Sequence, residues 1–242
     1  VQKAWEWIGR QTIPKYTYCY TVCDSLKEVF RAKYQVDFEV IRNVPFRSLE
    51  TASNPAKAAP FTLLYQGVLN DGRGLEELMH ALTKVDQLQL KIAGEGDLSD
   101  KLRALCKELK LEDKVEFLGY LSPEALKKET LEADIGINLL QNKGLNYYYS
   151  LANKFFDYIQ ALKPSINMNF PEYAHINQQH EVSVLVDNLK PESLISALNK
   201  LSQNPILYQK LQKNCVKARK IYVWEKESEK LLNFYAAVFN NT

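Results

Sequence analysis

The chain has 242 residues, 46% hydrophobic and 25% charged, with a formal net charge of +2. This describes an ordinary soluble globular protein with room for one large domain or one and a half small ones. It excludes a general electrostatic case for nucleic acid, and no apolar run of about 18 residues or cleavable signal sequence is present.

In chain order, VQKAWEWIGRQ reads as a helix without an initiator Met, which implies that the chain starts partway through a longer protein. YTYCYTV (16–22) reads as a strand, with Cys19 and Cys23 as small core residues on one face. SLKEVFRAKY (25–34) reads as a helix with Asp24 or Ser25 at its N-cap, and FEVIRNV (38–44) as a second strand. These elements are too few to bury a core alone. Residues 47–60, RSLETASNPAKAAP, read as a linker.

From Phe61 the pattern is regular. The runs FTLLYQG, LQLKIAG, KVEFLG, ADIGINLL, PSINMN and VSVLV alternate with amphipathic stretches near 74–84, 98–110, 122–131, 151–161 and 191–202. That alternation predicts right-handed βαβ units and an α/β, doubly wound parallel (Rossmann-like) sheet. Two long helical patterns, 204–220 and 223–239, follow the last strand; KARK (217–220) reads as a solvated face. His175 and His180 fall in a loop-like stretch. With His80 and the four cysteines they give no metal spacing, and a reducing compartment is the simpler assumption.

Such sheets bind ligands beyond the carboxyl ends of their strands, near the switch in strand order. The first of these loops, GVLNDGRG, sets Gly67, Gly72 and Gly74 around Arg73 just before a helix. It fits neither a Walker loop nor GxGxxG, yet it suits an anion, the alternative being a surface Arg on a flexible turn. In AGEGDL, Gly94 and Gly96 flank Glu95, which could accept hydrogen bonds from a base or sugar or be a solvated turn residue. Gly119 follows the third strand.

The fourth loop reaches Tyr147, Tyr148 and Tyr149, with Ser150 as N-cap of a helix carrying Asn153, Lys154 and Asp157. A cation at a helix N-terminus sits at the wrong end of the dipole unless an anion is near. Lys154 and Asp157 could be an ordinary surface pair. A diphosphate between Arg73 and Lys154 would instead explain both cations.

Across residues 16–239 these motifs resemble the GT-B glycosyltransferases, in particular the retaining family 4 (group 1) type. GVLNDGRG is similar to the family's first donor-domain turn, with Arg73 at the Lys position and Val68 at the Arg position. SLANKFFDYIQALKP resembles the stretch whose Glu binds the donor ribose, with Asp157 at that Glu. WEKESEKLLNFY resembles the closing helix. The sequence departs from the family at Tyr149, where a Glu eight positions before Asp157 is usual, and at Leu162, where Gly usually precedes Lys-Pro.

The resemblance implies the C-terminal half of a GT-B fold. Residues 1–46 would be a remnant of the acceptor-binding domain, 61–222 the donor domain, and 223–242 a helix crossing back. It implies transfer of a hexose-type sugar from a UDP- or GDP-type donor to a saccharide or lipid-linked acceptor. Arg73 and Lys154 would stabilise the leaving diphosphate, with no cofactor and no metal. Donor contacts are expected from Gly67, Val68, Arg73, Gly94, Glu95, Gly96, Gly119, Tyr120, Tyr149, Ser150, Leu151, Asn153, Lys154 and Asp157. Further expectations are polysaccharide biosynthesis in the cytoplasm or at the cytoplasmic membrane face, peripheral membrane association, and weak turnover by this chain alone. A sugar-nucleotide epimerase and a non-catalytic nucleotide-binding or scaffold module stay open as alternatives.

Overall fold

Where the sequence alternates short apolar runs with amphipathic stretches, strands alternate with helices. The structure is a computed structural model that describes residues 2–48 and 60–240, so most of the expected 47–60 linker lies outside the described residues. It divides into two compact units, one of Val1–Phe46 with Tyr222–Thr242 and one of Arg47–Ile221.

The first unit holds α1 (Gln2–Thr12), β1 (Tyr20–Thr21), α2 (Asp24–Tyr34) and β2 (Glu39–Val40), with β1 and β2 paired in parallel. The strands are shorter than the runs 16–22 and 38–44 predict. The residue at the N-cap of α2 is Cys23, with no side-chain cap, so Asp24 is already the first helical residue and its charge instead favours the dipole.

The second unit contains β3 (Phe61–Gln66), α3 (Leu75–Leu82), β4 (Leu88–Ala93), α4 (Ser99–Glu108), β5 (Val115–Gly119), α5 (Pro123–Glu132) and β6 (Ile135–Asn138). It continues with α6 (Leu145–Tyr148), α7 (Asn153–Gln160), β7 (Ser165–Met168), α8 (Pro171–His180), β8 (Ser183–Val186), α9 (Pro191–Ser202) and α10 (Pro205–Ala218). The last helix, α11 (Trp224–Asn240), belongs to the first unit. There the Trp224 N–H donates to the Pro45 carbonyl at 2.9 Å, and the Arg42 N–H donates to the buried Glu227 carboxylate at 2.8 Å. Among the described residues no helix is long and apolar enough to cross a membrane.

The six strands pair in parallel in the order β5-β4-β3-β6-β7-β8. The order reverses between β3 and β6, and the right-handed crossover that parallel βαβ units follow puts helices on opposite faces on either side of such a reversal. This is why the strands read as unbroken apolar runs: Leu63, Leu64, Tyr65, Ile135 and Ile137 are fully buried. The expected doubly wound α/β sheet is therefore present.

Helix α8 corrects the expectation of a loop around His175 and His180. Pro171 at its first turn is a start signal, but its apolar anchors reduce to Tyr173 and Ile176, too sparse a pattern to read as a helix face. Cys23, Cys106 and Cys215 are buried, as small core residues should be, while Cys19 is partly exposed.

Tyr158 of α7 locks the sheet centre. Its hydroxyl donates to the Leu64 carbonyl at 2.9 Å and lies 3.2 Å from the Ile137 carbonyl oxygen. A Cβ on Gly136 would come within 2.3 Å of the Tyr158 ring, which those contacts keep from swinging away. Gly136→Ala is therefore expected to destabilise the protein by about 2–3 kcal/mol in a denaturant titration. A loss under about 0.5 kcal/mol would show that the ring is not fixed.

Candidate functional site

The carboxyl-end side of the sheet at the switch point is bordered by the segments after β3 (67–74) and after β6 (139–152). They are tied to each other. The Gln141 N–H donates to the Gly72 carbonyl at 2.8 Å, Gln141 Nε2 to Glu77 Oε1 at 2.6 Å, and the Tyr147 hydroxyl to the Asp71 carbonyl at 3.1 Å. Lys143 pairs with Asp71. The Arg73 guanidinium lies 5.3 Å from the centre of the Tyr147 ring.

Lys154 is the second residue of α7, whose N-cap, Ala152, offers no side-chain cap; α3, just after Arg73, likewise begins uncapped at Gly74. Lys154 Nζ sits 3.8 Å from the Tyr65 ring centre, and a Cβ on Gly67 would approach it to 3.2 Å. Burial, and then the Arg73 charge, push the Lys154 amine down to about 7, against an upward pull from Asp157. Neither Arg73 nor Lys154 has a salt bridge among the described residues, so the reading of Lys154 and Asp157 as a surface pair fails. Arg73 Nε is buried without a hydrogen-bond partner. Two neighbouring cations next to two uncapped helix N-termini make an electropositive corner, whose chemistry suits an anion.

Asp157, a turn beyond Lys154, is held by Gln66, whose Nε2 donates to its Oδ2 at 2.8 Å. Burial raises the carboxyl to about 6, and the Gln66 hydrogen bond and the Lys154 charge act against that rise. Thr130 Oγ1 in turn donates to Gln66 Oε1 at 2.9 Å. Neither Gln66 nor Thr130 is among the expected site residues. Gln66 was the last residue of an apolar strand, a polar side chain at a strand end that could have drawn notice.

The other loops meet the first at its base. Gly67 N–H donates to Ala93 O at 2.9 Å, Gly94 N–H to Gly119 O at 2.8 Å, and Leu69 N–H to Glu95 O at 3.2 Å. Gly94 is required there: its φ is +143°, and a Cβ would fall 2.0 Å from the Gly67 carbonyl oxygen. A Cβ on Gly96 would fall 2.7 Å from Leu69 N and O and from Asn70 Oδ1. The Glu95 side chain is engaged by Arg103 through two contacts of 2.6 and 3.2 Å, and this pairing, first of all, lowers its carboxyl below the usual range.

Tyr120 (86% exposed) and Val68 (53% exposed) lie at the surface, and Asn153 is exposed. Tyr149 packs edge-on against Tyr148 with ring centres 5.0 Å apart, and Leu151 is half-buried. Ser150 is not the N-cap expected of it. Its hydroxyl lies 3.4 Å from the Tyr173 hydroxyl, which also accepts from the Ala152 N–H at 3.0 Å. Thus α8, the helix absent from the sequence reading, steadies the approach to Lys154.

The strand order and the helices flanking the sheet define a Rossmann-like domain of the kind found in GT-B glycosyltransferases. Anabaena Alr3699/HepE, solved in complex with UDP and glucose, superposes with a TM-score of 0.80 at 12% identity, over 98% of this chain and 67% of that one. S. aureus TarM, solved with UDP among its ligands, gives a TM-score of 0.75 at 16% identity, over 96% of this chain and 46% of that one. Residues 47–219 match the family Glycosyl transferases group 1, and the chain belongs to that family. A stretch of 76 residues is 38% identical to the uncharacterized glycosyltransferase MJ1607 of Methanocaldococcus jannaschii, covering 30% of this chain and 20% of that protein. The chain thus spans less than half the length of TarM and matches a fifth of MJ1607.

Proposed function

We propose that the second unit is the donor-binding part of a retaining, metal-independent glycosyltransferase of family 4 type, acting on a nucleoside-diphosphate sugar. The observation that carries this is the pair of cations, Arg73 and Lys154, left without a salt bridge among the described residues at the switch point of the sheet. As the bond from sugar to diphosphate breaks, negative charge grows on the leaving phosphate. Two fixed cations and two helix N-termini stabilise that charge more in the transition state than in the ground state. Asp157 accepts the ribose hydroxyls, and Glu95 and Gly119 border the base. The acceptor is a saccharide or lipid-linked saccharide, used in polysaccharide assembly in the cytoplasm or at the cytoplasmic membrane face.

The test is cleavage of UDP-glucose, UDP-N-acetylglucosamine and GDP-mannose, followed by phosphorus NMR for the nucleotide and proton NMR for the sugar anomer, with and without EDTA. Slow release of nucleoside diphosphate from at least one donor is expected, unchanged by EDTA, with the donor's anomeric configuration kept in the first sugar released. Release that requires a divalent cation, or an inverted first product, contradicts the proposal.

A further inference from the structure

The buried chain of side chains beneath Asp157 has a role beyond packing. Gln66 ends β3 and is buried, and Thr130 on α5 is buried beside it. Gln66 spends both ends of its amide: Nε2 donates to Asp157 Oδ2 at 2.8 Å, and Oε1 accepts from Thr130 Oγ1 at 2.9 Å. We infer that Gln66 is a positioning residue for the Asp157 carboxylate, kept in the working orientation by the Thr130 hydroxyl. The inference rests on the reading of Asp157 as the acceptor of ribose hydroxyl protons.

An ionised carboxylate accepts only, so it needs the NH₂ end of the amide; a flipped Gln66 would set oxygen against oxygen. The acceptor-only carboxylate thus sets the amide, and Thr130 can match it, since its one proton can go either to Gln66 Oε1 or to the Leu126 carbonyl oxygen at 2.8 Å. When that proton serves Gln66, the amide points its NH₂ group at Asp157. Oδ2 is then occupied, and Oδ1, which has no hydrogen bond within the described residues, is the oxygen left for a ligand hydroxyl. Lys154 is the charged group facing the carboxylate, with Arg73 beyond it and the Tyr158 hydroxyl on the same helix.

The experiment has two readouts. The first is the carbon-13 titration of the Asp157 carboxylate in the ligand-free protein. In the wild-type chain the Gln66 side-chain amide protons should move with the same midpoint. In Gln66→Met that midpoint should rise, because the amide no longer supports the charged form; Thr130→Val should move it the same way by less.

The second readout is the preference for UDP over 2′,3′-dideoxy-UDP, with the GDP pair run beside it. Gln66→Met should reduce that preference at least fivefold while changing affinity for the dideoxy compound less than twofold. Asp157→Asn should abolish the preference. If Asp157→Asn abolishes it and both Gln66→Met and Thr130→Val leave it intact, the positioning role is wrong. If Asp157→Asn itself leaves the preference intact, the ribose reading fails, and the midpoint alone decides whether Gln66 holds the carboxylate. Wild-type amide protons that ignore the Asp157 titration overturn the inference without any variant.

Discussion

Lys154→Met is expected to weaken nucleoside-diphosphate binding by about 10- to 100-fold while making the ligand-free protein more stable at pH 7. A hydrogen bond between an ammonium and a phosphate contributes about 1.5–3 kcal/mol, which is the source of that range. The gain in stability has a separate cause. Folding pushes the amine down to about 7, mainly by burial and next by the Arg73 charge, from an ordinary value of 10.5. Between those values the unfolded chain binds a proton that the folded protein has released, so wild-type stability rises with pH. Below pH 7 the folded protein carries the whole cost of a buried charge, and methionine does not. The partial exposure of Lys154 limits that cost to about 1–3 kcal/mol. The advantage of the Met variant should therefore be largest at pH 7 and below and vanish near pH 10. Arg73→Ala should weaken binding similarly, and it should also raise the Lys154 amine toward its ordinary value. A Met variant that binds normally, or whose stability parallels wild type at every pH, contradicts this account.

The affinity for a diphosphate diester such as UDP-glucose is expected to peak between pH 6 and 7, since the diester does not itself titrate there. Above pH 7 the free protein has lost the Lys154 proton and must regain it to bind the anion. Affinity then falls by up to about tenfold per pH unit, with proton uptake visible as a buffer-dependent binding enthalpy. Below pH 6 Asp157 becomes protonated and loses an acceptor for ribose hydroxyls, which gives a shallower decline. Lys154→Met should remove the alkaline limb and Asp157→Asn the acidic one. A flat profile from pH 5 to 9 would leave neither group at the ligand.

The sheet was legible because a parallel strand covered on both faces needs a run of adjacent apolar residues, as in the LLY of β3 and the IGI of β6, while β4 (LQLKIA) shows alternation, with Gln89 exposed. The switch point was legible as a rule rather than a place: nothing in the order of strands along the chain states that β3 lies between β4 and β6. Helix α8 was hidden because two apolar anchors suffice once Tyr173 and Ile176 face a large core.

Arg73 and Lys154 were found from their places ahead of helices. That Tyr65 underlies Lys154 and Tyr147 lies beside Arg73 depends on contacts between residues about 90 and 74 positions apart in sequence. Leu162 shows a departure from the family pattern in physical terms. It adopts φ +60°, the conformation a glycine takes freely, and a Leu there is retained because its side chain is buried. Relief of about 1–2 kcal/mol of strain does not offset about 2–5 kcal/mol of lost burial.

The central claim is that Arg73 and Lys154 hold a diphosphate, and the melting temperature in the presence of UDP, GDP and ADP tests it most directly. At least one nucleotide at millimolar concentration is expected to raise the melting temperature of the wild-type chain, with the rise lost in a chain carrying both Arg73→Ala and Lys154→Met. No rise with any of the three, or an equal rise in the double variant, would contradict it.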